Sequence, residues 1–219
     1  MRCIVTAGPT YEPLDEVRRL TNFSTGELGC LLADALAESG NYVTLLLGKQ
    51  ATYRKADNVK NVIEFTTSES LKNLFYELKA ESIKVIFHCA AVCDYRFGRT
   101  YLQDAEGNLS GLKSGKYQTS LGNLLVELVP TEKIISLLRR WYPDALIMGW
   151  KYEVDGTKTT VVEAGKKQIT ENKTDGCVLN GSAYGVGYGV LFKEGHLIHY
   201  EDKLSLIDGL KNWLKVAKK

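Results

Sequence analysis

The residues best suited to chemistry form a loop near the N-terminus, residues 18–29. Ser24 and Glu27 within it have capping-box spacing, which predicts that a helix begins at Ser24. The first-turn amides of a helix attract anions, so Ser24, Thr25 and the backbone around Gly26 could hold a phosphate. A capped helix packed beside a strand explains Ser24 and Glu27 equally well, and both interpretations stay open.

Two arginines favour the anion interpretation. Arg18, Arg19 and Asn22 directly precede the predicted helix start, where the helix dipole is already positive. A bound anion would offset that charge. Asp15 and Glu16 could instead pair with the arginines, so charge alone leaves both an anion site and an internal ion pair possible.

A second candidate site follows the apolar run at residues 85–89, which predicts a buried strand. Ala90 and Ala91 come next and would let a ligand approach the backbone closely, and Asp94 is placed to meet it. Ligands in open α/β sheets bind outside the carboxyl ends of strands. An ordinary strand with an Asp turn is the alternative, and short-chain dehydrogenases and sugar epimerases also have small residues at such a strand end.

The elements that must position these residues alternate between strands and helices. The predicted strands are residues 2–7, 43–47, 85–89, 145–149, 176–179 and a C-terminal hairpin of 188–192 and 197–200. Amphipathic helical spacing begins at Leu28, Leu71, Ile134 and Leu206. This alternation predicts an α/β fold, with a Rossmann-like, mainly parallel sheet flanked by helices.

One stretch interrupts the alternation. Residues 96–123 are polar, rich in Gly, Lys and Ser, and have almost no apolar periodicity. A loop of this length inside a compact domain is usually functional or mobile. We therefore expect one domain, residues 1–219, that carries a long flap.

The composition excludes several classes of protein. With 219 residues, 44% of them hydrophobic, the chain can bury a core without a metal or disulfide, and a net charge of +2 argues against a nucleic-acid surface. The five cysteines are scattered without a zinc-ligand pattern and predict reduced thiols. Neither a signal peptide nor a membrane span is evident, so we expect a cytoplasmic protein that binds no membrane.

The N-terminal loop resembles a family motif. The stretch GPTYEPLDEVRRLTNFSTGELG is similar to the loop GGT-x-EP-x-D-x-VR-x-x-(S/T)N-x-S-(S/T)G-x-x-G of phosphopantothenate–cysteine ligases, also called phosphopantothenoylcysteine synthetases. The positions kept are Thr10, Glu12, Pro13, Asp15, Val17, Arg18, Asn22, Ser24, Gly26 and Gly29. Pro9 replaces the second glycine. Residues 90–95 match the family's AAV-x-D-(Y/F) through Ala90, Ala91, Val92, Asp94 and Tyr95.

The resemblance continues with substitutions. Lys113 and Lys116 match the outer lysines of a K-x-K-K flap motif, with Gly115 in the middle. Residues 128–135 resemble L-x-x-(N/T)-x-D-I-(I/L), and Pro130 and Thr131 there suit a helix start.

Two further segments complete the match. Residues 149–153 match GF-x-x-E, with Trp150 able to stack on a base or sugar or simply to pack in the core. Gln168 and Asn172 stand where many members have the two lysines of K-L-x-x-K, and Lys167 and Lys173 are each one residue away. Either the helix register is shifted, or the triphosphate contacts differ.

The resemblance implies a stand-alone ligase that joins 4′-phosphopantothenate to cysteine in coenzyme A biosynthesis. A nucleoside triphosphate, with CTP favoured and ATP possible, would form an acyl-nucleotidylate with Mg²⁺ and without flavin, in a homodimer. By the resemblance, Asn22 holds the acyl group, Arg18 approaches a substrate phosphate, and Lys113 closes over the intermediate. The implied nucleotide-binding residues are Gly8, Thr10, Ser24, Gly26, Ala90, Asp94, Lys113, Ile134, Trp150 and Lys167, and Ala90, Ala91 and Asp94 also line the substrate pocket.

Three other classes remain as alternatives. A nicotinamide-dependent reductase or epimerase would need a Tyr-x-x-x-Lys pair, and Tyr11, Tyr95 and Tyr117 have no lysine four residues later. A flavin-binding decarboxylase would be a yellow protein. A non-catalytic nucleotide-binding protein is the third, favoured by Gln168 and Asn172.

Overall fold

The computed structural model describes residues 1–217 as thirteen strands, five α-helices and a short 3-10 turn at Thr119–Leu121. In chain order the strands and α-helices are β1 (Arg2–Ala7), β2 (Tyr11–Pro13), β3 (Arg19–Thr21), α1 (Glu27–Glu38), β4 (Tyr42–Gly48), β5 (Asn61–Phe65), α2 (Ser68–Leu78), β6 (Val85–His88), β7 (Tyr95–Gln103), β8 (Leu109–Leu112), β9 (Asn123–Pro130), α3 (Ile135–Trp141), β10 (Leu146–Tyr152), α4 (Lys158–Asn172), β11 (Gly176–Asn180), β12 (Tyr188–Phe192), β13 (Leu197–Tyr200) and α5 (Lys203–Ala217).

Eight strands form one central sheet in the order β13-β12-β11-β10-β6-β1-β4-β5. The six strands from β11 to β5 are parallel to one another, and β12 and β13 add an antiparallel hairpin at one edge. The predicted α/β fold, with a mainly parallel sheet, flanking helices and a C-terminal hairpin, is confirmed. From β1 the chain winds out to β4 and β5, then returns to β6 on the other side, which puts a topological switch point beside β1.

Both faces of the sheet are covered. On one face Val5 and Leu45 pack with residues of α1 and α5, and on the other Ile4 and Leu46 pack with α2 and α3. Since neighbouring residues of a strand point to opposite faces, β1 and β4 are buried on both sides and contain continuous apolar runs. The core therefore fixes the carboxyl end of β1 from two directions.

The stretch predicted as a long flap, residues 96–123, consists mostly of strands rather than of loop. Residues 95–130 form what we call the arm, an antiparallel sheet in the order β8-β7-β9. Tyr95 pairs with Pro130 at one end of the arm and Gln103 with Asn123 at the other. Most side chains of the arm are exposed or half-buried, so the strands show little of the apolar alternation by which strands are recognised. The single-domain organisation stays a prediction.

Two predicted helix starts are also wrong. The helix α1 begins at Glu27 rather than Ser24, because Gly26 turns the chain with a φ of 85° and no side chain caps the helix. The helix α3 begins at Ile135 rather than at Pro130 or Thr131. Pro130 ends β9, and the Thr131 amide donates to the Asp94 carbonyl oxygen at 2.9 Å.

Candidate functional site

A cleft of about 1110 Å³ lies at the carboxyl ends of β1, β6 and β10. One side is the loop from Asn22 to Leu28, and another is the turn from Thr131 to Ile135. The helix α4 closes a third side with Lys167, Gln168 and Asn172 among its lining residues. The cleft therefore lies at the switch point, which is the usual ligand position in such sheets.

The two motifs recognised in the sequence meet in this cleft. The Asn22 side-chain amide donates to the Ala91 carbonyl oxygen at 3.2 Å, and the Thr10 amide donates to the same oxygen at 3.0 Å. The Ala91 amide donates to the Gly8 carbonyl oxygen at 3.1 Å. These bonds hold the segment after β1 against the segment after β6. Asn22 and Ala91, which are 69 positions apart, therefore share one wall of the cleft.

Glycines allow the backbone segments of this wall to approach each other. A Cβ on Gly26 would lie 3.2 Å from the Gly8 nitrogen, and one on Gly29 would lie 2.8 Å from the Thr6 carbonyl oxygen. Gly26 also has a φ of 85°, which favours glycine. The start of α1 can therefore lie directly against the end of β1, with Gly8 and Gly26 on the cleft surface.

Arg18 lies outside the residues that line the cleft and is bound to the arm. Its guanidinium pairs with Asp15 at 2.6 Å and donates to the Tyr117 carbonyl oxygen. Burial alone would raise the pKa of Asp15, but the Arg18 guanidinium and the amides of Val17, Arg18 and Tyr117 hold it well below its usual range. Of the two possibilities that charge left open, the structure contains the internal ion pair, and a phosphate contact by Arg18 stays a prediction.

Two more predicted residues do not line the cleft. Thr10 is fully buried, and its hydroxyl accepts a hydrogen bond from the Cys93 amide at 2.8 Å. It therefore supports the wall from behind. Lys113 is exposed just after β8 in the arm, and its role over an intermediate stays a prediction.

The remaining predicted residues line the cleft together: Gly8, Asn22, Ser24, Gly26, Ala90, Ala91, Asp94, Ile134, Trp150 and Lys167. Trp150, two residues before the end of β10, is half-buried and packs against the core. Its predicted stacking on a base or sugar is not tested by this geometry.

The residues of α4 that line the cleft show whether this helix is shifted in register. Gln168 and Asn172 both line the cleft, whereas Lys173 ends the helix with a φ of 53° and does not line it. Lys167 does line the cleft, and Glu171 lies 3.8 Å from its ammonium group. The helix is therefore not shifted to bring lysines to both positions.

Comparison with known proteins identifies the family. The family model described as the DNA/pantothenate metabolism flavoprotein C-terminal domain matches residues 1–212. The chain belongs to this family. The resemblance to phosphopantothenoylcysteine synthetases that the motifs indicated is thereby confirmed, and the family's place is in coenzyme A biosynthesis.

Two curated relatives in the family carry different names. The coenzyme A biosynthesis bifunctional protein CoaBC of Thermococcus kodakarensis is 33% identical over 180 residues, which cover 82% of this chain and 41% of that protein. A cysteine/cysteine sulfinic acid decarboxylase from an unknown prokaryotic organism is 30% identical over 213 residues, covering 96% of this chain and 52% of that protein. The chain thus spans about half the length of the curated relatives it matches.

Solved structures share the fold over nearly the whole chain. A DNA/pantothenate metabolism flavoprotein from Streptococcus pneumoniae has a TM-score of 0.85 at 27% identity, covering 99% of each chain. A Cab2 mutant in complex with phosphopantothenate-cysteine has a TM-score of 0.67 at 18% identity, covering 100% of this chain and 89% of that one. The second likeness concerns the fold alone.

Sequence reasoning missed several cleft residues of this family member. His88 ends β6, and its Nδ1 lies 3.1 Å from the Thr6 hydroxyl, which itself accepts a hydrogen bond from the Ala90 amide at 2.9 Å. Burial lowers the pKa of His88 to about 4, so the ring is neutral at physiological pH. A polar residue at the end of a predicted strand was the available signal for His88.

Lys203 was missed for a different reason. It begins α5 and forms an ion pair with Glu27 at the start of α1, which raises the pKa of the lysine. The two residues are 176 positions apart, and no local pattern links them. Only the packing of α5 on α1 brings Lys203 to the cleft.

Proposed function

We propose that this chain joins 4′-phosphopantothenate to cysteine at the expense of a nucleoside triphosphate. The observation that carries the proposal is the contact of Asn22 with Ala91, where the two ligase motifs form one wall of the cleft. Membership of a coenzyme A biosynthesis family and the likeness in fold to a protein that binds phosphopantothenate-cysteine support the same reaction.

The proposed reaction has two steps. The carboxylate of phosphopantothenate attacks the α-phosphorus of the nucleotide, and pyrophosphate leaves. The amine of cysteine then attacks the acyl carbon, the nucleoside monophosphate leaves, and the amine loses a proton as the amide forms. Asn22 would donate a hydrogen bond from its side-chain amide to the acyl oxygen. The backbone at Gly8 and Gly26 would lie along the bound phosphates.

The cleft residues fit a magnesium ion that arrives with the nucleotide. Magnesium is usually held by one or two carboxylates together with substrate phosphates. Asp94 lines the cleft and would supply such a carboxylate, and residues 1–217 contain no cluster of three or more acidic, His or Cys side chains that could hold a metal without the nucleotide. The ion would offset the negative charge of the phosphates.

The nucleotide is proposed to be CTP, with ATP as the alternative. Trp150 would stack on the base or sugar, and Ile134 would contact it from the turn before α3. Lys113 would reach the cleft only by movement of the segment that follows β8. Closure of this kind would keep water from the mixed anhydride.

A pyrophosphate-release assay tests the reaction. Protein with phosphopantothenate, cysteine, Mg²⁺ and either CTP or ATP should release pyrophosphate only when the acid is present. Absence of pyrophosphate release with both nucleotides would contradict the ligase proposal. Separate incubations with NAD(P)H would detect reductase activity, and a flavin absorbance band in the purified protein would favour a decarboxylase.

Asn22→Asp tests the role of the side-chain amide. The substitution removes the donor and places a negative charge beside an anionic substrate, so we expect the kcat of pyrophosphate release to fall at least about a hundredfold. Asn73→Asp in the exposed face of α2 makes the same chemical change away from the cleft and should leave kcat unaltered. Near-normal turnover by Asn22→Asp, with an unchanged circular dichroism spectrum, would remove Asn22 from the site.

A further inference from the structure

Lysines supply the positive charge of the cleft, and most of them are paired. Three of the four lysines that line it are in ion pairs: Lys151 with Glu153 at 2.9 Å, Lys167 with Glu171 at 3.8 Å, and Lys203 with Glu27. Lys133 is the fourth, and no acidic group within residues 1–217 forms an ion pair with it. Its neighbour Glu132 pairs with Lys72 at 3.3 Å instead.

The turn that carries Lys133 is fixed on both sides. Before it, the Thr131 amide donates to the Asp94 carbonyl oxygen at 2.9 Å. After it, the Ile134 side chain is only 2% exposed and packs in the core. Lys133 itself is exposed between these two attachments, so its flexible side chain extends from a rigid base at the cleft edge.

This turn lies beside the face of α4. A Cβ on Gly149 would lie 2.3 Å from Gln168 Nε2 and 2.9 Å from Ile135 Cδ1. The side chains of Ile135 and Gln168 therefore meet over Gly149, and Lys133 is two residues from Ile135. The Lys133 turn and the Gln168 position border the same part of the cleft.

The face of α4 itself brings no net charge to the cleft. Gln168 and Asn172 are neutral, and the charges of Lys167 and Glu171 cancel. A nucleoside triphosphate carries several negative charges that must be offset in a site that excludes water. The ligase pattern L-x-x-(N/T)-x-D-I has an acid at the position of Lys133. This chain therefore has a lysine beside the face of α4, from which the two lysines of K-L-x-x-K are absent.

We propose that Lys133 binds the phosphates of the nucleotide and takes the place of the lysines absent from α4. The proposal rests on the proposed function for the identity of the nucleotide. It makes Lys133 a binding residue for the nucleotide that the sequence motifs did not assign. Phosphopantothenate and cysteine binding should not depend on it.

Removal of the charge tests this assignment. With the acid and cysteine saturating, Lys133→Ala should raise the KM for the nucleotide about tenfold or more while kcat changes by less than about twofold. Lys133→Arg keeps the charge and should stay close to the wild type. Lys60→Ala is the matched control, because this exposed lysine directly precedes β5 at the amino end of the sheet.

A compensating substitution distinguishes a local contact from general electrostatics. Lys133→Ala combined with Gln168→Lys returns a lysine to α4 beside the same turn, so we expect it to recover most of the nucleotide affinity. An unchanged KM in Lys133→Ala, or an equal rise in Lys60→Ala, would overturn the proposal, and so would a double variant that is no better than Lys133→Ala.

Calorimetric titration separates this proposal from the ligase reaction. Wild-type protein and Lys133→Ala are titrated with MgCTP and with MgATP, without acid or cysteine. Binding that weakens about tenfold in the variant supports Lys133 even if pyrophosphate release is absent, in which case only the ligase reaction fails. Equal affinity in both proteins, or no binding by the wild type, overturns the role of Lys133.

Discussion

At the scale of single residues, His88 shows how burial decides a protonation state. The ring lies in the sheet beside Phe75, with ring centroids 5.6 Å apart, and its Nδ1 meets the Thr6 hydroxyl. That hydroxyl accepts from the Ala90 amide, so it is free to donate its own hydrogen to His88. The neutral ring thus helps to hold Ala90 at the cleft wall.

His88 should therefore make the protein less stable in mild acid. The unfolded histidine binds a proton below about pH 6.5 and the folded one only below about pH 4, so stability is lost as the pH falls through this window. We expect this residue to contribute a loss of about 2 kcal/mol in the free energy of unfolding between pH 7 and 4.5.

The variant His88→Asn keeps an acceptor for Thr6 and removes the titrating ring. Urea unfolding at pH 7 and 4.5 should then show a smaller loss of stability in the variant than in the wild type. An equal loss in both proteins would show that other groups set the acid limit.

At the scale of elements, the start of α1 depends on how closely the helix lies to β1. Gly29 faces β1 so directly that a Cβ there would lie 2.6 Å from the Ala7 Cβ and 3.0 Å from its Cα. Since β1 is buried on both faces, the strand cannot move away, and the helix must shift instead. Such a shift would move Gly26 and Glu27 at the cleft.

The variant Gly29→Ala should reveal this constraint. Alanine normally stabilises a helix interior relative to glycine, but here overpacking should lower the free energy of unfolding by about 1–3 kcal/mol. Gly111→Ala in the arm is the control, because a Cβ there meets nothing within 4 Å. Chemical denaturation of both variants measures the effect, and a stabilised Gly29→Ala would contradict the close approach.

At the scale of the whole molecule, the arm leaves apolar side chains exposed. Leu109 is 53% exposed, Leu125 39% and Leu128 51%. Exposed apolar residues on a sheet commonly mark an interaction surface. We propose that the arm joins two copies of this chain in the homodimer that the family resemblance implies.

No helix within residues 1–217 is long and apolar enough to span a membrane.

Sedimentation velocity tests the dimer. The wild type should sediment with about twice the 24.4 kDa mass of one chain, and Leu125→Glu with Leu128→Glu should shift it towards the monomer, because buried charge without a partner is costly at an interface. Val216→Glu near the end of α5 introduces the same charge at another exposed apolar residue and should leave the mass unchanged. A monomeric wild type at all concentrations would contradict the proposal.

The sequence alone determined the fold class and the two motifs that meet at the cleft. The apolar runs of β1, β4 and β6 are readable because burial on both faces forces continuous apolar residues, and this burial is a local property of each strand. The family resemblance placed Asn22 and Ala91 in one pocket, and both residues line the cleft.

Tertiary structure alone decided the features that depend on distant partners. The arm pairs strands with exposed side chains, so its hydrogen bonds leave no apolar pattern to read. Arg18 is bound to Asp15 and Tyr117 rather than left for an anion, and the lysines of the cleft differ only in which acids the fold brings to them. Charge pairing and backbone pairing between remote segments arise only when the chain has folded. For that reason the sequence shows a lysine at position 133 but not that, within residues 1–217, this lysine forms no ion pair.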